Sequence, residues 1–106
     1  MKKTIARIPP VHPGEVLREE FMKPMGLSSY AVAKALGCNP IAISQIIHKK
    51  RGVSAEMALR LARYLGTSAG FWQGLQADYE LEVAEIAFKR RVEKMVIPLH
   101  PVAQAA

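Results

Sequence analysis

The residues best suited to specific chemistry lie between positions 28 and 51. An amide side chain such as that of Gln45 can form two hydrogen bonds with the edge of an adenine, and Asn39 carries the same group. The consecutive bases Lys49-Lys50-Arg51 can neutralise phosphate groups. Amide side chains close to a run of basic residues are typical of a surface that binds a nucleic acid and contacts its nucleobases.

The positive charge of the chain is concentrated in the same stretch. The 106 residues carry 15 Lys and Arg against nine Asp and Glu, which gives a net charge of +6. Residues 28–66 hold six bases and one acid, so they account for +5 of this excess. Residues 67–94 sum to −1. This distribution predicts a polyanionic or acidic partner that binds within residues 28–66.

Helix signals run through the chain, and no strand pattern of convincing length interrupts them. The chain is long enough for one small domain, and half of its residues are hydrophobic. Capping residues, prolines and glycines predict five helices: one from Pro13 that ends at Pro24 and Gly26, a second from Ser28 to Gly37, a third from Asn39 to about His48, a fourth from Ser54 to Gly66, and a fifth from Thr67 or Ser68 to about Lys94. We therefore expect an all-α domain over residues 13–94, with tails at 1–12 and 95–106.

Residues 28–47 match the pattern of two short helices joined by a tight turn. Gly37 can adopt the left-handed conformation that ends the first helix, and Ala33 is small where two crossed helices must approach closely. Ile43, with Ile46 or Ile47, anchors the second of these helices to the core. The N-terminal end of that helix then faces solvent, and in a helix-turn-helix this end enters the major groove.

The candidate DNA-binding residues follow from this geometry. Gln45 is suited to an adenine edge, and Ile41 and Ala42 to thymine methyl groups. The N-termini of helices and the side chains of Lys and Arg are suited to bind phosphate groups. The full candidate set comprises Ser28, Ser29, Asn39, Pro40, Ile41, Ala42, Ser44, Gln45, Lys49, Lys50 and Arg51. The alternative is a helical domain whose second and third helices merely pack at a right angle.

Other kinds of site find little support. His12, His48 and His100 lie on unrelated elements, so we expect no metal site and no cofactor. Cys38, the single cysteine, rules out an internal disulfide and is better suited to packing in the turn than to nucleophilic catalysis. No apolar run approaches the roughly 18 residues that a membrane span needs. We therefore expect a soluble cytoplasmic protein that is not an enzyme.

The segments that flank the two-helix motif carry a more specific resemblance. They read HPGEVLREEF at 12–21, ALRLARYLGTS at 58–68 and FWQGLQADYEL at 71–81. With the motif, residues 9–84 resemble the HigA-type antitoxins of bacterial toxin–antitoxin modules, in the phage-repressor-like (XRE) helix-turn-helix class. The resemblance implies a compact five-helix, DNA-binding homodimer. It also implies neutralisation of a small basic RelE-like toxin that cuts mRNA, and repression of the chain's own operon.

Three functional interpretations therefore remain open at this point. The first is the antitoxin. The second is a stand-alone repressor with no toxin partner, and the third is a protein-interaction module that does not bind DNA. The operator sequence cannot be transferred from the family, because the exposed end of the third helix varies with it.

The last predicted helix is also open to two interpretations. We expect Phe71, Trp72 and Tyr79 to pack in the core. Residues 78–94 carry acids followed by bases, which fits either a solvated amphipathic helix or a helix that contacts a second copy or a toxin. The N-terminal tail is an equal candidate for toxin contact.

Overall fold

The computed structural model describes residues 9–100, and this part of the chain is all-helical. Helix α1 is one continuous segment that is α-helical over Pro13–Val16, π-helical over Leu17–Met22 and α-helical again over Lys23–Met25. It is followed by α2 (Ser29–Leu36), α3 (Pro40–Ile47), α4 (Ala55–Leu65) and α5 (Ala69–Met95). The all-α, five-helix prediction is confirmed. No helix within residues 9–100 is both long and apolar enough to cross a membrane.

Side-chain caps fix where α2 to α5 begin. Each cap oxygen accepts a hydrogen bond from a backbone N–H in the first turn, which would otherwise have no partner. The four predicted caps all occur: Ser28 Oγ with Ala31 (3.0 Å), Asn39 Oδ1 with Ile41 (2.8 Å), Ser54 Oγ with Met57 (3.1 Å) and Ser68 Oγ with Phe71 (3.0 Å).

Helix α1 does not stop at Pro24, which sequence reasoning took as one of its terminators. In a regular α-helix the proline ring collides with the carbonyl four residues earlier. Here the preceding turn is π-helical, and the Lys23 N–H donates to the Arg18 carbonyl, five residues back. This wider turn precedes the proline, and the helix ends at Gly26, which is left-handed (φ 64°).

The core joins all five helices. Its largest fully buried side chains are Trp72, Leu17, Ile43, Ile46, Leu61 and Val32. The Trp72 indole N–H donates to Thr67 Oγ1 (2.8 Å), and the ring packs against Phe21 at 5.5 Å between centroids. Phe71 was expected in this core but is 42% exposed, because it lies at the rim against Phe21 and Trp72.

The start of α1 packs directly on the end of α3. A Cβ atom at Gly14 would lie 1.8 Å from the carbonyl oxygen of Ile46, so only glycine permits this approach. His12 caps the helix, since its Nδ1 accepts a hydrogen bond from the Gly14 N–H (2.9 Å). The His12 ring is 3% exposed and stacks edge-on against Tyr79 at 4.8 Å. Residue 12 therefore packs with the folded helices, whereas the sequence predicts that the tail extends to this residue.

The surroundings of His12 favour its neutral form. Burial lowers the pKa of the imidazole below its ordinary value, and the positive charge of Lys49 lowers it further, while Glu15 acts in the opposite direction. A neutral ring agrees with the role of Nδ1 as an acceptor, which protonation would abolish.

We expect Gly14→Ala to lower the free energy of unfolding by about 2 kcal/mol, because the new methyl group must displace the backbone at Ile46. The matched control is Gly74→Ala in α5, where a Cβ meets no atom within 4 Å. That variant should gain about 0.5–1 kcal/mol from helix propensity. Urea denaturation of both proteins measures the difference. A Gly14→Ala protein as stable as the Gly74→Ala protein would contradict the close approach.

We also expect the free energy of unfolding to fall as the pH drops from about 7.5 to 5.5. The His12 pKa is lower in the folded chain than in the unfolded chain, so the unfolded chain binds more protons in this range. The slope should approach at most about 1.4 kcal/mol per pH unit. His12→Asn retains a capping oxygen but should remove this slope, whereas His48→Asn should retain it. Equal slopes in the two variants, from urea denaturation at several pH values, would refute the assignment to His12.

Candidate nucleic-acid interface

The turn between α2 and α3 sets the direction in which α3 leaves the core. Gly37 is left-handed (φ 72°), and the Cys38 N–H donates to the Ala33 carbonyl (2.9 Å). The Cys38 side chain packs against the core, as the sequence predicts for a small apolar residue there. Asn39 then caps α3 with its side-chain oxygen, which leaves its amide N–H groups for an external partner.

Helix α3 divides into a buried face and a face toward solvent. The buried face consists of Ala42, Ile43, Ile46 and Ile47. The opposite face consists of Pro40, Ile41, Ser44, Gln45 and His48; Ile41 is 61% exposed, and Ser44 and Gln45 are half-buried. The exposed face is polar at its centre, at Ser44 and Gln45, and it includes Pro40 and Ile41 at the N-terminal end of the helix that was predicted to face solvent.

Ala42 is a correction to the predicted site. It was expected to face solvent, but it is only 8% exposed. Residues four apart share one side of a helix, so Ala42 lies above Ile46 on the buried side. With 8% of its surface exposed, Ala42 offers little area to a thymine methyl group, and it lies outside the exposed face of α3.

The loop after α3, residues 48–54 (the basic loop), begins with an unusual backbone conformation. Lys49 is the one non-glycine residue with positive φ (64°) among residues 9–100. Its N–H donates to the Ile46 carbonyl (3.0 Å), and the Lys50 N–H donates to the Gln45 carbonyl (2.8 Å). These two hydrogen bonds end α3 just before Lys50 and Arg51.

The three bases of this loop are not equivalent. Lys49 Nζ lies 3.6 Å from a carboxylate oxygen of Glu15 on α1, so part of its charge is already compensated. Lys50 and Arg51 are exposed and form no ion pair within the described residues. They are the bases of the loop that are free to meet an anion.

Arg60 has a different role from the one that its charge suggests. Its Nη1 donates to the carbonyls of Leu36 (2.7 Å) and Gly37 (3.1 Å), and its Nη2 donates to Glu56 (2.7 Å). The guanidinium therefore fastens α4 to the turn between α2 and α3. Sequence reasoning counted Arg60 only as one of the bases of residues 28–66.

The far end of the basic loop is held by α5. The Val53 N–H donates to Gln76 Oε1 (2.8 Å), and Gln76 Nε2 donates to Glu80 (2.8 Å). Sequence reasoning assigned no role to Gln76. The sequence does contain one signal for such a role. Gln76 lies four residues after Trp72, so its polar side chain is expected beside the buried face of α5.

Within residues 9–100, no three His, Cys, Asp or Glu side chains converge in a way that could hold a metal ion. His48 instead folds back on its own helix, where Nδ1 lies 2.7 Å from the Ser44 carbonyl oxygen.

The chain is similar to helix-turn-helix proteins both in sequence and in fold. Residues 19–72 match the family model described as helix-turn-helix. The chain is 51% identical to virulence-associated protein I of Dichelobacter nodosus over 74% of this chain and 72% of that protein. It is 40% identical to antitoxin HigA-1 of Vibrio cholerae over 76% of this chain and 74% of the antitoxin.

The fold agrees with that of a solved complex. A structure described as the Pseudomonas aeruginosa antitoxin HigA with the higBA promoter superposes with a TM-score of 0.84 and 43% sequence identity. The match covers 86% of this chain and 99% of that antitoxin. The similarity therefore extends beyond the two-helix motif to nearly the whole of a known antitoxin chain.

Proposed function

This chain belongs to the helix-turn-helix family, and we propose that it is a HigA-type antitoxin that binds operator DNA, represses its own operon and neutralises a RelE-like mRNA-cleaving toxin. The observation that carries the DNA-binding part is the exposed face of α3, which is followed by Lys50 and Arg51, two exposed basic residues that form no ion pair within residues 9–100. The similarity to an antitoxin solved with promoter DNA supports the same assignment.

Base recognition is assigned to the exposed face of α3. Gln45 is suited to pair with an adenine through both ends of its amide, and Ile41 to contact a thymine methyl group. Pro40 and Ser44 complete this surface. Asn39 can donate to a base or a phosphate through the amide N–H groups that its cap leaves free.

Phosphate contacts are assigned to the basic loop and to the start of α2. Lys50 and Arg51 are exposed, and Lys49 can move from Glu15 to a phosphate at little cost because this ion pair is long and solvated. Ser28 and Ser29 lie at the N-terminus of α2, where backbone N–H groups and the helix dipole favour an anion. These contacts supply affinity without sequence preference.

Two substitutions separate the two kinds of contact. Arg51→Ala should weaken binding to every duplex and reduce the slope of log K against log salt by about 1. Gln45→Ala should cost about 1–3 kcal/mol on the operator and little on unrelated DNA. Fluorescence anisotropy measures both, with a duplex from directly upstream of the chain's own reading frame and a scrambled duplex of equal length.

The two variants also test the proposal as a whole. If both lose affinity equally on operator and scrambled DNA, the assignment of base recognition to α3 is wrong. If the unmodified chain binds neither duplex, the domain is a protein-interaction module.

The second half of α5 offers a surface for a second copy of the chain. Every residue from 80 to 100 is exposed, so this part of the helix extends beyond the core. Leu81, Phe88 and Met95 recur every seven residues, and with Ala84 and Val92 they form one apolar stripe. We propose that this stripe is the interface of a homodimer.

The charges of α5 favour an antiparallel pairing. Residues 78–85 carry four acids and no base, whereas residues 89–94 carry four bases and one acid. A two-fold axis near Phe88 brings the acidic half of one copy beside the basic half of the other. A parallel pairing instead places like charges together.

Native mass spectrometry tests this interface. We expect the wild-type chain at twice its 11.7-kDa mass and Phe88→Asp at the single mass, because a carboxylate would be buried within the stripe. Ile86→Asp is the control, since Ile86 is also apolar and exposed but lies on the other side of the helix. If Ile86→Asp separates the copies and Phe88→Asp does not, the stripe is not the interface.

The same measurement tests the toxin partner when the chain is expressed together with the reading frames next to its own gene. A small basic protein in stoichiometric complex, whose growth arrest the chain relieves, is the expected result. A homodimer without this protein, recovered while the neighbouring genes are expressed, would favour the stand-alone repressor.

A further inference from the structure

The basic loop is fastened at both ends by side chains of other helices. At its start, Lys49 faces Glu15 of α1, and at its end the Val53 N–H donates to Gln76 of α5. We propose that Gln76 is a positioning residue for DNA binding, which holds Lys50 and Arg51 in the arrangement that meets the phosphates. This inference rests on the DNA-binding part of the proposed function.

The hydrogen bonds of Gln76 fix the orientation of its amide. Oε1 accepts from the Val53 N–H at 2.8 Å, and Nε2 donates to the Glu80 carboxylate at 2.8 Å. A backbone N–H is only a donor and a carboxylate is only an acceptor. Rotating the amide by 180° would therefore break both bonds, so Glu80 keeps the oxygen of Gln76 directed at the loop.

The loop backbone also rests directly on the Gln76 side chain. A Cβ atom at Gly52 would lie 2.7–2.9 Å from three atoms of the Gln76 amide. The absence of a side chain at residue 52 lets the chain pass this closely. The hydrogen bond and this contact together define the position of the loop immediately after Arg51.

Restricting the loop before DNA arrives raises affinity. Lys50 and Arg51 are exposed, and the adjoining backbone bonds at Lys50 and Val53 limit the positions that they can reach. Without Gln76, the buried Val53 N–H loses its partner, and the loop must be ordered when DNA binds. Because phosphate contacts carry no sequence information, the loss should be equal on all duplexes.

The test compares three variants in the anisotropy assay. Gln76→Ala should weaken binding about fivefold on operator and scrambled duplex alike, the factor expected for about one net hydrogen bond. Gln73→Ala is the control, because Gln73 is exposed and forms no hydrogen bond within the described part of the chain. The double variant Q76E with E80Q should restore binding. The carboxylate introduced at position 76 can accept from Val53, and the amide introduced at position 80 can donate to that carboxylate, at unchanged net charge.

Two further readouts separate positioning from other roles. The salt slope should stay at its wild-type value in Gln76→Ala, because the number of neutralised phosphates does not change. Hydrogen exchange of the Val53 amide, measured without DNA, should accelerate in Gln76→Ala and return to its wild-type rate in the double variant.

Several outcomes would overturn the inference. They are wild-type affinity in Gln76→Ala, no recovery in the double variant, or a salt slope reduced by about 1, which would make Gln76 itself a phosphate contact. If the wild-type chain binds neither duplex, the proposed function fails and the inference falls with it. Binding by the wild type with an unaffected Gln76→Ala protein removes the inference alone.

Discussion

Helix α3 is too short to stand alone, and this constraint organises the rest of the molecule. Eight residues make about two turns, and isolated helices of that length are marginal in water. The helix must also bury one side and leave the other for a partner. Its position therefore depends on neighbours: Gly14 at its last turn, Arg60 at the turn before it and Gln76 at the loop after it. Each neighbour comes from a different helix.

Local signals account for most of what the sequence predicted. A serine or asparagine cap acts on N–H groups two or three residues away, and a terminal glycine acts on its own backbone. These signals need no knowledge of the tertiary fold, so the bounds of α2 to α5 were predictable to within a residue or two. At Pro24 the local rule failed, because a π-helical turn placed before the proline lets the helix pass through it.

What the sequence did not predict depends on pairs of residues that are distant in the chain. Arg60 reaches Leu36 across 24 positions, and Gln76 reaches Val53 across 23. No periodicity links such residues, and the length of a side chain does not indicate its partner. Ala42 was wrongly predicted to face solvent for a related reason. The isoleucines alone define a narrower buried face than the one observed, which also includes Ala42. These pairings also reduce the positive charge that residues 28–66 can offer to a partner, because Arg60 and Lys49 already have acidic neighbours.

The proposed dimer stripe and the proposed positioning residue lie on the same helix, and this shared support has a physical consequence. Helix α5 runs without a break from Ala69 to Met95, and Gln76 and Phe88 are separated by about 18 Å along its axis. A continuous helix carries both points as one body. Pairing two copies at Phe88 therefore fixes the distance between their basic loops as well as between their α3 helices, and an operator of two half-sites requires that distance to match about one turn of duplex. If both proposals hold, recognition by α3 and the spacing of two half-sites depend on one continuous helix, which lies outside the helix-turn-helix itself.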